Sequence, residues 1–194
     1  MSAGSAPERS VVVTGRAWMF GDHMNTDLML PISAYRVPVH ERPMLVFSAN
    51  RPGWAELVRP GDVIVAGENF GVGSGRPVST VLQELGIAGI AADSVNGLFY
   101  RSAINAGLPI VACPGVTRMV TEGDRVTIDP VTGTVADITT GESLSVAPMH
   151  SELQEIVAAG GVIARLRRAG YLPPQASPAA ATGGANRTAR RPTA

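Results

Sequence analysis

The sequence predicts an α/β fold, a single domain with a parallel sheet at its centre. Through the middle of the chain, apolar runs of strand length alternate with segments of helical length, and the helical segments stop on glycines. With 194 residues and 45% hydrophobic content, the chain is long enough to bury one core and no more than one.

Val11 to Ala17 opens with three valines, suits a strand, and leads into the Gly21-Asp22 turn. Asn25-Thr26-Asp27 follows, then the apolar Leu28-Met29-Leu30 and a terminating Pro31. From Ile32 to Pro60 the prolines at 38, 43, 52 and 60 break any sustained period, which predicts a long excursion with at most one short helix. Loops of that length are usually functional or disordered. Asp62 to Ala66 is a short apolar run suited to a buried strand, followed by a glycine-rich loop from Gly67 to Gly75. Pro77 to Leu85 fits a helix with proline in its first turn and Gly86 at its end. Ile87 to Ala92 is a second buried strand. The scheme repeats with a helix from Leu98 to Ala106, a stop at Gly107 and a strand from Leu108 to Ala112. Beyond Pro114, Arg125 to Asp129 and Thr134 to Ile138 read as a small β-rich extension, with hairpin signals at Asp129-Pro130 and Thr132-Gly133. A helix from Ser151 to Ala159 stops at Gly160-Gly161, and Val162 to Leu166 adds a last element. The expected domain therefore spans 11–170, between a flexible N-terminus at 1–10 and a disordered tail at 173–194 that has almost nothing to bury.

Charge and cysteine content remove several function classes. Sixteen basic residues, all arginine, balance sixteen acidic ones, so no global field draws the chain to nucleic acid or to an anionic membrane. No run reaches the roughly 18 apolar residues of a membrane span, and Met1 to Ser10 lacks the apolar core of a secretory signal. A cytoplasmic location is expected. Cys113 is the only cysteine, which excludes an internal disulfide and any site of several thiolates within the chain. An iron–sulfur centre would have to come from a partner. His23, His40 and His150 are far apart with no ligand spacing, so no metal site is expected.

Strand, glycine loop, helix, strand and then Asp93 imitates a dinucleotide-binding unit, but the spacing is wrong. Gly71, Gly73 and Gly75 recur every two residues, and Arg76 stands where a third fingerprint glycine belongs. No Lys-Ser or Lys-Thr pair makes a Walker loop. The loop does offer small residues at a predicted helix N-terminus, where unpaired N–H groups and the helix dipole favour an anion. Ser74 in that setting is either a helix cap or part of such a site, with Arg76 two residues on.

The run Asn69-Phe70-Gly71-Val72-Gly73-Ser74-Gly75-Arg76 resembles the N-F/Y-G-x-G-S-S-R-E-H loop of aconitase-type swivelling domains. Asp93-Ser94, Phe99-Tyr100-Arg101 and Ala103 through Pro109 resemble that family's D/E-S-F-A-x-I-F-Y-R-N-A-I-N-x-G-L-P stretch. Gly21-Asp22 through Asn25-Thr26-Asp27 and Pro31 resembles G-D-x-x-D-T-D-x-I-I-P, and Leu153 to Gly161 is similar to E-I-x-x-A-G-G. Four ordered matches over residues 15–170, in a free-standing domain, are similar to the small subunit of 3-isopropylmalate dehydratase.

That resemblance implies a swivelling β/β/α domain and a hydro-lyase that dehydrates and rehydrates a malate-type di- or tricarboxylate in leucine biosynthesis. It implies a cluster-bearing large subunit as partner, a 4Fe–4S cluster held by that partner and none bound by this chain. Residue by residue, it makes Ser74 the catalytic base, with Gly73, Gly75 and Arg76 stabilising its anion and binding substrate. Arg36 becomes a second carboxylate clamp. Asp27 takes the family's acidic position, either orienting the serine or an arginine or capping a turn. The chain departs from the pattern at Gly75, at Pro77-Val78 and at Asn25, where the family has Ser, Glu-His and Asp. Two alternatives therefore accompany the main reading. One is a paralogue acting on another malate derivative, of homoaconitate or methylmalate type, and the other is a non-catalytic binding or regulatory module of the same fold.

Overall fold

The first strand, β1 (Val13–Phe20), changes neighbours half-way along its length, and the whole sheet is organised around that change. The computed structural model describes residues 9–174, so most of the expected N-terminal and C-terminal tails lies outside the described residues. Ala17 to Phe20 of β1 pair in parallel with β2 (Val63–Ala66), which pairs in parallel with β3 (Gly89–Ala92), itself parallel to β4 (Ile110–Ala112). Val13 to Arg16 instead pair antiparallel with β5 (Arg125–Asp129), followed by β6 (Thr134–Asp137) and β7 (Ser143–Ser145). The sheet order is β4-β3-β2-β1-β5-β6-β7. Gly15 sits at the crossing, where a Cβ would lie 2.0 Å from the Gly61 carbonyl oxygen, so no side chain fits.

The parallel half is covered on both faces, which is why its strands read as unbroken apolar runs. All four residues of β2 are buried, with Ile64 and Ala66 in one core and Val63 and Val65 in the other. The larger core lies under α1 (Val78–Leu85), α2 (Gly97–Ala106) and α3 (Ser151–Ala158). The smaller one joins β5 and β6 to Val116 at the start of a short helix, Val116–Met119. A last helix, Val162–Arg168, packs on α2 and α3. Pro77 stands at the N-cap of α1, one residue outside the helix expected from Pro77.

The proline-rich excursion is more regular than its sequence suggests. It forms two 3-10 helices, Ile32–Arg36 and Val39–Leu45, and a single helical turn, Trp54–Leu57. Aromatic contacts hold it to the sheet: Phe47 stacks on Phe20 at 4.2 Å, and Trp54 meets Phe47 edge-on at 4.9 Å and Trp18 at 5.9 Å. Trp18 is in turn contacted by two guanidinium groups, Arg16 at 4.4 Å and Arg51 at 4.9 Å from its ring centroid. Arg16 pairs with Asp62 and Arg51 with Glu122, each at 2.6 Å. No helix among the described residues is long and apolar enough to cross a membrane.

Candidate functional site

The loops at the C-terminal ends of β1, β2 and β3 run side by side, continuing the parallel sheet as isolated bridges, Asn25 with Val72 and Phe70 with Val95. Ligand crevices of open α/β sheets form at this end. Backbone bonds from Gly71 N–H to the Met24 carbonyl (2.9 Å) and from Thr26 N–H to the Val72 carbonyl (2.7 Å) hold residues 24–27 against 71–74. The buried Thr26 hydroxyl adds a bond of 2.6 Å to the Ser74 carbonyl. Gly73, at φ +116°, is needed for this approach, because a Cβ there would sit 2.4 Å from Asn25 Oδ1.

Asn25 caps the one-turn helix Thr26–Met29, its side-chain oxygen accepting from Asp27 N–H at 2.8 Å. An amide does this as well as a carboxylate and adds no second negative charge beside Asp27. The cap turns Asp27 towards the glycine loop, where its Oδ1 accepts from both the Ser74 hydroxyl and Arg76 Nε, the latter at 2.6 Å. Arg76 also donates through Nη1 to the Leu30 carbonyl. Ser74, the guanidinium of Arg76 and burial all act on Asp27. The Ser74 hydrogen bond has the largest effect, and with Arg76 it outweighs burial and holds the carboxyl below its usual range.

Three of the residues selected from the sequence, Ser74, Asp27 and Arg76, thus meet at one carboxylate oxygen. Ser74 is exposed, and neither its N–H nor those of Gly73 and Gly75 have an acceptor among the described residues. Gly75 is uncrowded: a Cβ would meet only Leu98 Cδ2, at 3.9 Å. Arg36 is not brought into this group. It ends the first 3-10 helix, is exposed, and makes no hydrogen bond or ion pair among the described residues. Its neighbour Tyr35 does reach the site, with Arg76 5.7 Å and Arg42 5.2 Å from its ring centroid. Neither Tyr35 nor Arg42 stands out in sequence, since nothing in an irregular proline-rich run marks a ring stacked under two cations.

Among the described residues no three His, Cys, Asp or Glu side chains gather as a metal site. His23 lies beside the glycine loop, its Nδ1 3.4 Å from Asn69 Nδ2, with both residues at positive φ. Cys113 is buried, and burial pushes its thiol pKa up, with Asp93 adding to the effect.

No family model matches the chain. Individual proteins do. The isopropylmalate/citramalate isomerase small subunit of Methanocaldococcus jannaschii is 38% identical over 160 residues, which cover 81% of this chain and 95% of that protein. The 3-isopropylmalate dehydratase small subunit of Nautilia profundicola is 39% identical over 154 residues, covering 78% and 92%. The methanogen homoaconitase small subunit of Methanothermobacter thermautotrophicus is 36% identical over 154 residues, covering 78% and 89%. Among solved structures, 3-isopropylmalate dehydratase from M. jannaschii matches with a TM-score of 0.75 at 31% identity, over 82% of this chain and 95% of the other.

Proposed function

The chain belongs to the family of 3-isopropylmalate dehydratase small subunits, and from that premise we propose that it supplies the proton-transfer half of the active site, with Ser74 as the base. The enzyme is a hydro-lyase that acts with a large subunit. The observation that carries the reading is the shared Asp27 oxygen, which receives the Ser74 hydroxyl and Arg76 together.

The hydrogen next to a carboxylate is weakly acidic, and removing it loads further negative charge onto that carboxylate. The site must therefore present a base and cations together. A free serine hydroxyl is a poor base. Hydrogen-bonded to Asp27, it can pass its own proton to the carboxylate as it takes the substrate's, so a free alkoxide need not accumulate. Asp27 is a weak acceptor while Arg76 holds it. A substrate carboxylate that draws on Arg76 loosens that hold and makes Asp27 more basic at the moment the proton must move. The unpaired N–H groups of Gly73, Ser74 and Gly75 are the donors available to negative charge at the loop. Arg76, with Arg36 as the second clamp suggested by its motif, meets the substrate carboxylates.

Removal of the hydroxyl calls for a Lewis acid, which we assign to a 4Fe–4S cluster on the large subunit. The donor set of this chain, one buried thiol, does not suit a cluster. We place the complex in the cytoplasm, with a malate-type di- or tricarboxylate as substrate, a dicarboxylic alkylmalate before the others. Relatives named for isopropylmalate, citramalate and homoaconitase define the panel to try.

The test is co-expression with the large subunit, anaerobic cluster reconstitution, and ultraviolet detection of the unsaturated acid from that panel. Turnover that disappears in Ser74→Ala is the expected result. A stable complex that turns over none of the panel would sink the catalytic reading in favour of a binding module.

A further inference from the structure

The two guanidinium groups at Tyr35 differ in how their donors are used. An arginine has five N–H donors. Arg76 commits Nε to Asp27 and one Nη1 hydrogen to the Leu30 carbonyl. Arg42, in the 3-10 helix Val39–Leu45, donates to no acceptor among the described residues, although its Nε is buried. The acid beside it in sequence, Glu41, is exposed and lies 3.7 Å from His40 Nε2. An orphaned buried N–H on a charged group is costly, and such groups in native proteins usually have an acceptor. The Tyr35 ring steadies Arg42 without consuming a donor, because a cation over a ring face uses no N–H.

Two guanidinium groups therefore share one ring at the edge of the Ser74 loop, one of them partly engaged and the other, with its Nε enclosed, bonded to no acceptor among the described residues. A ligand with two carboxylates fits that pair. We propose that Arg42 is a further substrate-binding residue, taking the carboxylate farther from Ser74, and that Tyr35 is the positioning residue that keeps Arg42 beside Arg76. This rests on the dicarboxylate reading above, and it adds a contact that the Ser74 and Arg36 motifs do not contain.

In the reconstituted complex, Arg42→Gln should raise KM for 3-isopropylmalate about tenfold or more with kcat within about threefold, the mark of lost ground-state binding. Arg42→Lys, which keeps the charge but not the fork, should recover part of the loss. Tyr35→Leu should move KM in the same direction by a smaller factor. Calorimetric titration of the complex with 3-isopropylmalate, and with an analogue in which one carboxylate is replaced by methyl, supplies a readout apart from turnover. The native complex should prefer the dicarboxylate, and Arg42→Gln should bind the two alike. An unchanged KM and preference in Arg42→Gln, or a loss confined to Arg36→Gln, overturns the proposal. If the native complex turns over nothing, the catalytic reading fails, while the titration still decides Arg42. No preference for the dicarboxylate in the native complex would sink both.

Discussion

Two aspartates among the described residues each pair with an arginine, Asp62 with Arg16 and Asp27 with Arg76. Asp62 is enclosed, its side chain 6% exposed, and its oxygens accept from Arg16 Nε and Nη2, Trp18 Nε1 and Arg59 N–H. Asp27 is 44% exposed and accepts through Oδ1, while Oδ2 has no partner among the described residues. Burial pushes the Asp62 carboxyl up, but its four donors outweigh that, and both aspartates end below the usual range. A carboxylate whose lone pairs are filled is a strut. One left half-filled, on an exposed loop, can still exchange partners.

Exchanging each aspartate for asparagine tests the difference between the two most directly. Asp27→Asn should lower turnover of the assembled complex by a factor of about 10²–10³, because it removes the acceptor of the serine proton. It should leave the urea midpoint of the chain where it was. Asp62→Asn should do the reverse, costing about 2–3 kcal/mol of stability by leaving Arg16 and the Trp18 N–H poorly paired, with activity per folded molecule retained. Equal stability losses in the two variants would erase the distinction.

Acid titration isolates the contribution of Asp62. Because the Asp62 pKa is depressed on folding, its contribution is complete above the unfolded carboxyl pKa of about 4 and fades as pH falls through the lower folded value. Urea midpoints of native chain and Asp62→Asn should therefore differ at pH 7 and converge below about pH 4. The smallest effect belongs to Gly75→Ser. Its side chain has room beside Leu98, so stability should change by less than about 0.5 kcal/mol. Gly73→Ser, with its positive φ and the contact to Asn25, should be destabilised well beyond that.

Much of the parallel half was legible in sequence, because strands buried on both faces are uninterrupted apolar runs and the intervening helices end on glycines. The grouping of Ser74, Asp27 and Arg76 followed from a motif, whereas the shared oxygen that organises it did not. Asp62 read simply as the start of a strand, since its partners Arg16 and Trp18 lie far upstream. The two 3-10 helices were hidden by prolines that break every period, and they are held by ring contacts between distant positions such as Phe20 and Phe47. Arg36 was singled out by its place in a motif, but the ring beside it contacts Arg42 and Arg76 instead. Stacking on a common ring leaves no trace in local sequence.

The change of neighbours along β1 also sets a schedule for the nascent chain. Val13 pairs with Ile128 and Arg16 with Arg125, so this half of β1 has to wait for a strand that is made much later. Its other half finds β2 much sooner. Until β5 emerges, residues 13–16 are an open sheet edge carrying unpaired backbone groups, the kind of surface on which chains join one another. Arg16, partly exposed on that edge and tied to Asp62 as soon as β2 docks, places a charge there throughout the wait.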